Sequence, residues 1–314
     1  MAKIAFVFPG QGSQTVGMGK ELSDEFSSVK AYYDLADEVL KDHLSELIFN
    51  GPQEELTLTA NAQPSLLTTS VAILSRLQEY DVQADYVAGH SLGEYSALVA
   101  AGVLSFQDAV MAVRRRGEYM EEAVPAGQGG MAAVLGAERA ALEDLTAGIT
   151  EDGNPVQLAN INCPGQIVIS GAAEGVKRAS EAVKSIGAKR ALPLVVSGPF
   201  HSSLMKPASS KLQATFETIS WHDAKIPVVS NVTAEPVTSS QEMKELLIRQ
   251  LYSPVLWQDS VEKMIDYGVD TFIEVGPGKV LSGLIKKIDR NVRIFSVSNE
   301  SEVQAVVAAL KGDQ

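Results

Sequence analysis

Five short runs of apolar, β-branched or aromatic residues recur along the chain: IAFVF from Ile4, DYVAGH from Asp85, PVVSN from Pro227, TFIEVG from Thr271 and RIFSV from Arg293. Bounded by turn-forming or polar residues, each predicts a strand. Between them the apolar positions return every three or four residues, as in SLLTTSVAILSRLQEY from Ser65 and DSVEKMIDYG from Asp259, which predicts helices. Strands alternating with helices predict an α/β fold, a mainly parallel sheet covered by helices on both faces.

The middle of the chain has a different order. GGMAAVLG from Gly129 reads as a strand, AERAALEDLTAG as a helix, VQLANIN and QIVISG as two strands, AAEGVKRASEAVKSIG as a helix and KRALPLVV as a last strand. This β-α-β-β-α-β succession is the ferredoxin-like unit. Turn-forming residues bracket it in VPAGQGG and VVSGPF. The expected organisation is therefore a large α/β subdomain of residues 1–126 and 196–314, interrupted by a small subdomain of residues 127–195.

Composition narrows the class. With 314 residues, 45% hydrophobic and 21% charged, the chain reads as globular rather than disordered. No stretch reaches the 18 apolar residues of a membrane span, and the apolar run before Pro9 is too short for a secretory signal, so a cytoplasmic location is expected. A single cysteine, Cys163, excludes an internal disulfide and a cysteine-rich metal site. The net charge of −13 argues against nucleic acid or an anionic membrane as partner. Basic runs at Arg114 to Arg116 and from Lys286 to Arg293 read either as solvated helix faces or as local patches for an anionic partner.

The loop after the first strand holds Gly10, Gly12 and Gly17. A dinucleotide fingerprint needs its third glycine where Thr15 stands, and a P-loop needs a Gly-Lys-Ser/Thr ending that is missing, so the spacing argues against nucleotide binding. More informative is Gly89-His90-Ser91-Leu92-Gly93, set between a strand and an apolar helix. That context makes G-x-S-x-G a nucleophile elbow, with Ser91 at a helix N-terminus; a plain helix cap is the competing reading. Of the four histidines, His43 lies in a helix-like segment, His222 in a polar stretch, and His90 adjoins Ser91 and is expected to point elsewhere. His201, in a turn between strand and helix, is the candidate base. An α/β-hydrolase acid between serine and histidine is not evident, because the inserted subdomain fills most of that interval. In the helix around SFQDAVMAVRRRGEYMEEAV, Phe106, Ala109, Val113, Gly117, Met120 and Val124 form one apolar stripe, with Arg116 at its margin and Arg115 opposite. Arg116 can point inward, either to a structural salt bridge or to a substrate carboxylate.

Taken together, FPGQGSQ, GHSLGEYSAL, the RRRG ending at Gly117, NCPGQ at Asn162, FHS around His201, RQLYSPV at Gln250 and EVGPGKVL resemble the malonyl-CoA:acyl carrier protein transacylases of bacterial fatty acid synthesis. The resemblance spans the chain, in the family's order and spacing, and the family also carries the ferredoxin-like insert. It implies a Ser91–His201 catalytic pair, with the backbone carbonyl of Gln250 orienting the histidine so that no buried acid is needed. It further implies an oxyanion hole formed by the amides of Gln11 and Leu92, and a malonyl site built from Arg116, Met120, Phe200, Asn160 and Asn162. In related modular acyltransferases an aromatic at the position of Phe200 accompanies malonyl choice and a serine accompanies methylmalonyl choice. The implied substrates are malonyl-CoA and acyl carrier protein, with CoA as product, no metal or bound redox cofactor, and a monomeric state. Lys189, Arg190, Lys286 and Lys287 are the candidate docking charges for the acidic carrier. The rival readings are a thioesterase or esterase, which would need no carboxylate-binding arginine, and a non-catalytic binding module, which would need neither nucleophile nor base.

Overall fold

The computed structural model describes residues 3–125 and 127–312. The strands β1 (Lys3–Phe8), β2 (Tyr86–Gly89), β3 (Gly129–Leu135), β4 (Val156–Cys163), β5 (Gln166–Ala172), β6 (Arg190–Pro193), β7 (Val228–Val229), β8 (Pro236–Val237), β9 (Val269–Val275) and β10 (Arg293–Val297) form two sheets. The first is six-stranded, in the order β10-β9-β1-β2-β7-β8, parallel throughout except for β8 at its edge.

The earliest strand sits in the middle. In β1, Ala5 to Phe8 are all buried, as a central parallel strand covered on both faces requires. The two-residue period sends its side chains to opposite faces: Phe6 and Phe8 join the cluster of the long helix Thr59–Gln78, while Ala5 and Val7 pack with Trp257, Val261 and Leu281. Burying a phenylalanine is worth about 1.5–3 kcal/mol, so one strand anchors both layers. The chain winds outward from β1 in both directions, to β2 on one side and to β9 on the other. The switch point of such a sheet opens a crevice beyond the carboxyl ends of its strands, and the loops after β1 and β2 both start there.

The second sheet is antiparallel, in the order β4-β5-β3-β6, with the helices Arg139–Glu151 and Ala173–Ala182 in the two crossover connections. Its strands lie between residues 129 and 193 and have the ferredoxin-like order. The second sheet is tied to the segment before the helix Trp257–Asp266 where Asn160 of β4 bridges Val255, with Ile161 N–H donating to Val255 O and Val255 N–H to Ala159 O, each at 2.8 Å.

Three expectations change in detail. The run KRALPLVV gives only a four-residue edge strand ending at Pro193; after Leu194 N–H donates to Met131 O the chain leaves the sheet, and Val195 is 99% exposed. Proline lacks the N–H of a continuing ladder, which suits it to such an edge. The run PVVSN pairs only at Val228 and Val229, because Asn231 turns its side chain toward the loop after β2. His43 stands at the N-cap of the helix Leu44–Asn50 rather than within it. No helix among the described residues is long and apolar enough to cross a membrane.

Candidate active site

The loop following β2 is built by close packing. A Cβ on Gly89 would overlap the backbone of Gly93, and a Cβ on Gly93 would overlap Phe8 O, so neither position admits a side chain. Between them Ser91 is held at φ 52°, a left-handed conformation costly for a non-glycine residue. The carboxamide of Asn231 holds it there: Ser91 N–H donates to Oδ1 at 2.7 Å, and Nδ2 donates to Gly89 O at 2.7 Å. The helix Gly93–Ala100 starts directly afterwards, placing the hydroxyl at a helix N-terminus.

His201 reaches Ser91 from another part of the chain. Its Nε2 lies 2.7 Å from Ser91 Oγ, and its Nδ1 lies 2.8 Å from Gln250 O. A carbonyl only accepts, so Nδ1 carries the proton and the Nε2 lone pair faces the hydroxyl. Burial, with Arg116 nearby adding to it, lowers the imidazole to about 3 and keeps it neutral. A neutral imidazole on a hydroxyl held in a strained elbow can take the proton as the oxygen attacks an acyl carbon. His43 and His222 are exposed elsewhere.

The loop after β1 lies against this elbow, and a Cβ on Gly10 would overlap His90 O. Among the described residues the backbone amides of Gln11 and Leu92 donate to no protein acceptor. Unpaired amides beside a nucleophile can stabilise a tetrahedral oxyanion, the same local physics that a phosphate loop uses.

Arg116 is 1% exposed on the helix Phe106–Ala123. Its Nη1 donates to Gln63 Oε1 at 2.8 Å, and its Nη2 to Gln250 Oε1 at 2.9 Å and Ser91 Oγ at 3.2 Å. The other two arginines of the run turn away, Arg115 to Glu118 and Arg114 to Asp42 and Asn61. Among the described residues Arg116 makes no direct salt bridge, and a carboxylate-bearing ligand could pair with its charge.

A cavity of about 150 Å³ opens over the nucleophile. Ser91, His201, Arg116, Gln11, Met120, Phe200 and Asn160 all line it, so the structure brings together seven of the expected site residues. Leu92 and Gln250 lie behind its wall, where the Leu92 amide and the Gln250 carbonyl are the groups of interest. His90 points away from Ser91 Oγ as expected: its ring packs against Trp257 and its Nε2 lies 2.9 Å from Asn162 Oδ1, although the residue also lines the cavity. One expectation is corrected: Asn162 is not among the residues lining the cavity and instead holds His90 from behind. Among the described residues no group of three or more His, Cys, Asp or Glu could hold a metal ion.

Three further residues complete the arrangement: Gln63, Asn231 and Glu94. Glu94 is a buried carboxyl that burial raises to about 7, and it bonds to Gln250 and Asn231 rather than to the histidine. An acid in the first turn of an otherwise apolar helix was the one signal of it in the sequence. Gln63 and Asn231 left none, because their roles depend on long-range packing.

The model for the "Acyl transferase domain" family matches residues 5–314. The chain is 58% identical over 311 residues to the malonyl CoA-acyl carrier protein transacylase of Bacillus subtilis, covering 99% of this chain and 98% of that protein. It is 47% identical to the protein of the same name from Staphylococcus aureus, over 97% of this chain and 98% of that one. Among solved structures, the acyl carrier protein S-malonyltransferase of Vibrio cholerae superposes with a TM-score of 0.95 at 46% identity, covering 97% of this chain and all of that chain. A malonyl-transacylase in complex with its type II PKS acyl-carrier protein superposes equally well at 42% identity, covering 98% of this chain and all of that chain. These matches run through both sheets, the loops that carry Ser91 and His201 and the helix that carries Arg116, and the chain belongs to the acyl transferase domain family.

Proposed function

We propose that this protein moves a malonyl group from malonyl-CoA to the phosphopantetheine thiol of an acyl carrier protein in fatty acid synthesis, by a two-step ping-pong route. The observation that carries the reading is Arg116: a buried guanidinium 3.2 Å from the nucleophile, with no carboxylate of its own, suits an acyl group that ends in a carboxylate. A generic esterase has no use for that charge.

In the first half-reaction Ser91 Oγ attacks the thioester carbon while His201 Nε2 takes its proton. The oxyanion rests on the amides of Gln11 and Leu92, and the intermediate collapses to malonyl-serine, with His201 returning the proton to the CoA thiolate. In the second half-reaction the carrier thiol gives its proton to His201 and attacks the ester. Collapse releases malonyl-carrier protein, and Ser91 regains the proton. The fixed Nδ1–H to Gln250 O bond holds the imidazole in one tautomer through both halves.

The same reading places the protein in the cytoplasm as a monomer, treats residues 127–195 as the small subdomain, and gives Met120, Asn160 and Phe200 to the malonyl pocket. Lys189, Arg190, Lys286 and Lys287 are all exposed and remain the candidates for docking the acidic carrier. The test is intact-mass analysis after incubation with a mixture of acyl-CoAs. A malonyl adduct that is lost in Ser91→Ala and discharged by carrier protein is expected. Steady hydrolysis with no accumulating adduct would favour an esterase instead.

A further inference from the structure

Gln250 contributes to the site twice. Its main-chain oxygen accepts from His201, and its side-chain oxygen accepts from Arg116. The second contact depends on which way a carboxamide faces, and a carboxamide turned by half a rotation offers N–H where it offered oxygen. Gln250 has no exposed surface, so its environment alone decides. The nitrogen side is surrounded by acceptors: Glu94 Oε2 at 2.7 Å, Ser91 O at 3.0 Å and Asn231 Oδ1 at 3.5 Å. Turned over, the amide would set its oxygen against all three and its N–H groups against the guanidinium. Glu94 is the shortest contact and the one that carries charge when ionised. Asn231 N–H donates to the same Oε2 at 3.2 Å, fixing that oxygen in place.

We propose that Glu94 is a positioning residue for substrate choice: it turns the Gln250 carboxamide so that the oxygen faces Arg116 and the guanidinium stays aimed at an acyl carboxylate. The proposal rests on the transacylase reading and extends it. The arrangement solves a specific problem. A buried cation needs a buried counter-charge, but a glutamate in direct contact with Arg116 would occupy the face that substrate requires. With Gln250 between them, the anion orients the amide dipole toward the cation and leaves the guanidinium open. Glu94 meets Ser91 only through the backbone, its N–H donating to Ser91 O at 3.1 Å; among the described residues its carboxylate bonds to neither Ser91 Oγ nor His201, so the side chain acts through Gln250 and Asn231.

The test compares Glu94→Ala, Glu94→Met and Glu94→Gln in single-turnover acylation of Ser91 by malonyl-CoA and acetyl-CoA at pH 8, above the value of about 7 to which burial raises the carboxyl. Methionine fills the volume without an acceptor if alanine does not fold. Glutamine keeps an acceptor at the position of Oε2. Loss of a bond to a charged group corresponds to about tenfold or more, so Ala or Met is expected to lower the malonyl-to-acetyl ratio by at least about tenfold, through the malonyl concentration dependence, and Gln to restore most of it. A parallel fall for both donors, or an unchanged ratio, overturns the proposal. A readout independent of turnover is the side-chain amide resonance of Gln250, expected far downfield in the parent and in Glu94→Gln, and shifted upfield in the Ala and Met variants. A resonance that ignores these substitutions also overturns it. If the resonance moves as expected while the parent loads no malonyl group, the transacylase reading has failed and the positioning role has not.

Discussion

Replacing Arg116 by alanine separates carboxylate recognition from acyl chemistry. Among the described residues the guanidinium makes three hydrogen bonds, to Gln63, Gln250 and Ser91, and its Nε meets no acceptor, so donor capacity is left over inside a buried site. A carboxylate bound at two points gains two charge-assisted bonds of about 1.5–3 kcal/mol each. Their loss is about 3–6 kcal/mol, or roughly 10²- to 10⁴-fold in malonyl loading at about 1.4 kcal/mol per decade. Truncation also strands the side-chain oxygens of Gln63 and Gln250, at about 1–3 kcal/mol each, but that cost lowers stability for every substrate and cancels in a ratio. Acetyl-CoA has no carboxylate to lose. The assay is therefore the rate of Ser91 adduct formation with malonyl-CoA and with acetyl-CoA, read by intact mass. The expected result is a ratio lowered by two to four decades, with partial recovery in Arg116→Lys, whose ammonium supplies charge without the planar fork. An equal drop for the two donors would show Arg116 to be purely structural and would refute the reasoning.

The remaining expectations concern the base, the elbow and the pocket. Because His201 titrates near 3 in the free protein, its base form persists as pH falls, and kcat/KM for loading from malonyl-pantetheine should show no half-loss at the usual histidine value near 6.5. An inflection at about 6.5 that persists in Glu94→Gln would contradict the buried, neutral imidazole; one near 7 that disappears in that variant would report Glu94 instead. Asn231→Ala removes the two bonds that hold Ser91 at positive φ, at about 1–3 kcal/mol for each buried group left unpaired, so thermal stability and both loading rates should fall while the malonyl-to-acetyl ratio holds. A selective loss of malonyl would place Asn231 in recognition rather than in the elbow. Phe200 is 6% exposed on the cavity wall, and Phe200→Ser should raise methylmalonyl relative to malonyl transfer in a competition assay; an unchanged ratio removes it from selectivity.

What the sequence revealed and what it hid divide along a physical line. The five strand runs, the elbow glycines and the apolar stripe under Arg116 were legible because each is a local pattern: a period of two, a steric requirement within five residues, a period of 3.6. The inserted unit was legible for the same reason, since its strands and helices alternate in order. The short ends of PVVSN and KRALPLVV were not, because nothing local says that Asn231 leaves its strand to bind Ser91 N–H or that Leu194 and Val195 leave theirs to line the cavity. The same limit hid Gln63, Glu94 and Asn231. These three, with Gln250, come from segments up to 187 residues apart (63 to 250) and meet only after the long helix, the elbow, the turn after β7 and the end of the helix Ser240–Gln250 have packed. Polar residues in such a network are read along the chain as ordinary surface or capping residues, yet each is buried and hydrogen-bonded: Glu94 to Gln250 and Asn231, Asn231 also to Ser91 and Gly89, and Gln63 to Arg116. The pairing of Ser91 with His201 could be expected from the sequence, because a serine proposed as nucleophile in an elbow requires a base, and the two side chains lie 2.7 Å apart. The network that aims the arginine is visible only as geometry, and substitutions at Glu94, which orients Gln250 without holding the elbow, are expected to shift donor choice before they abolish transfer.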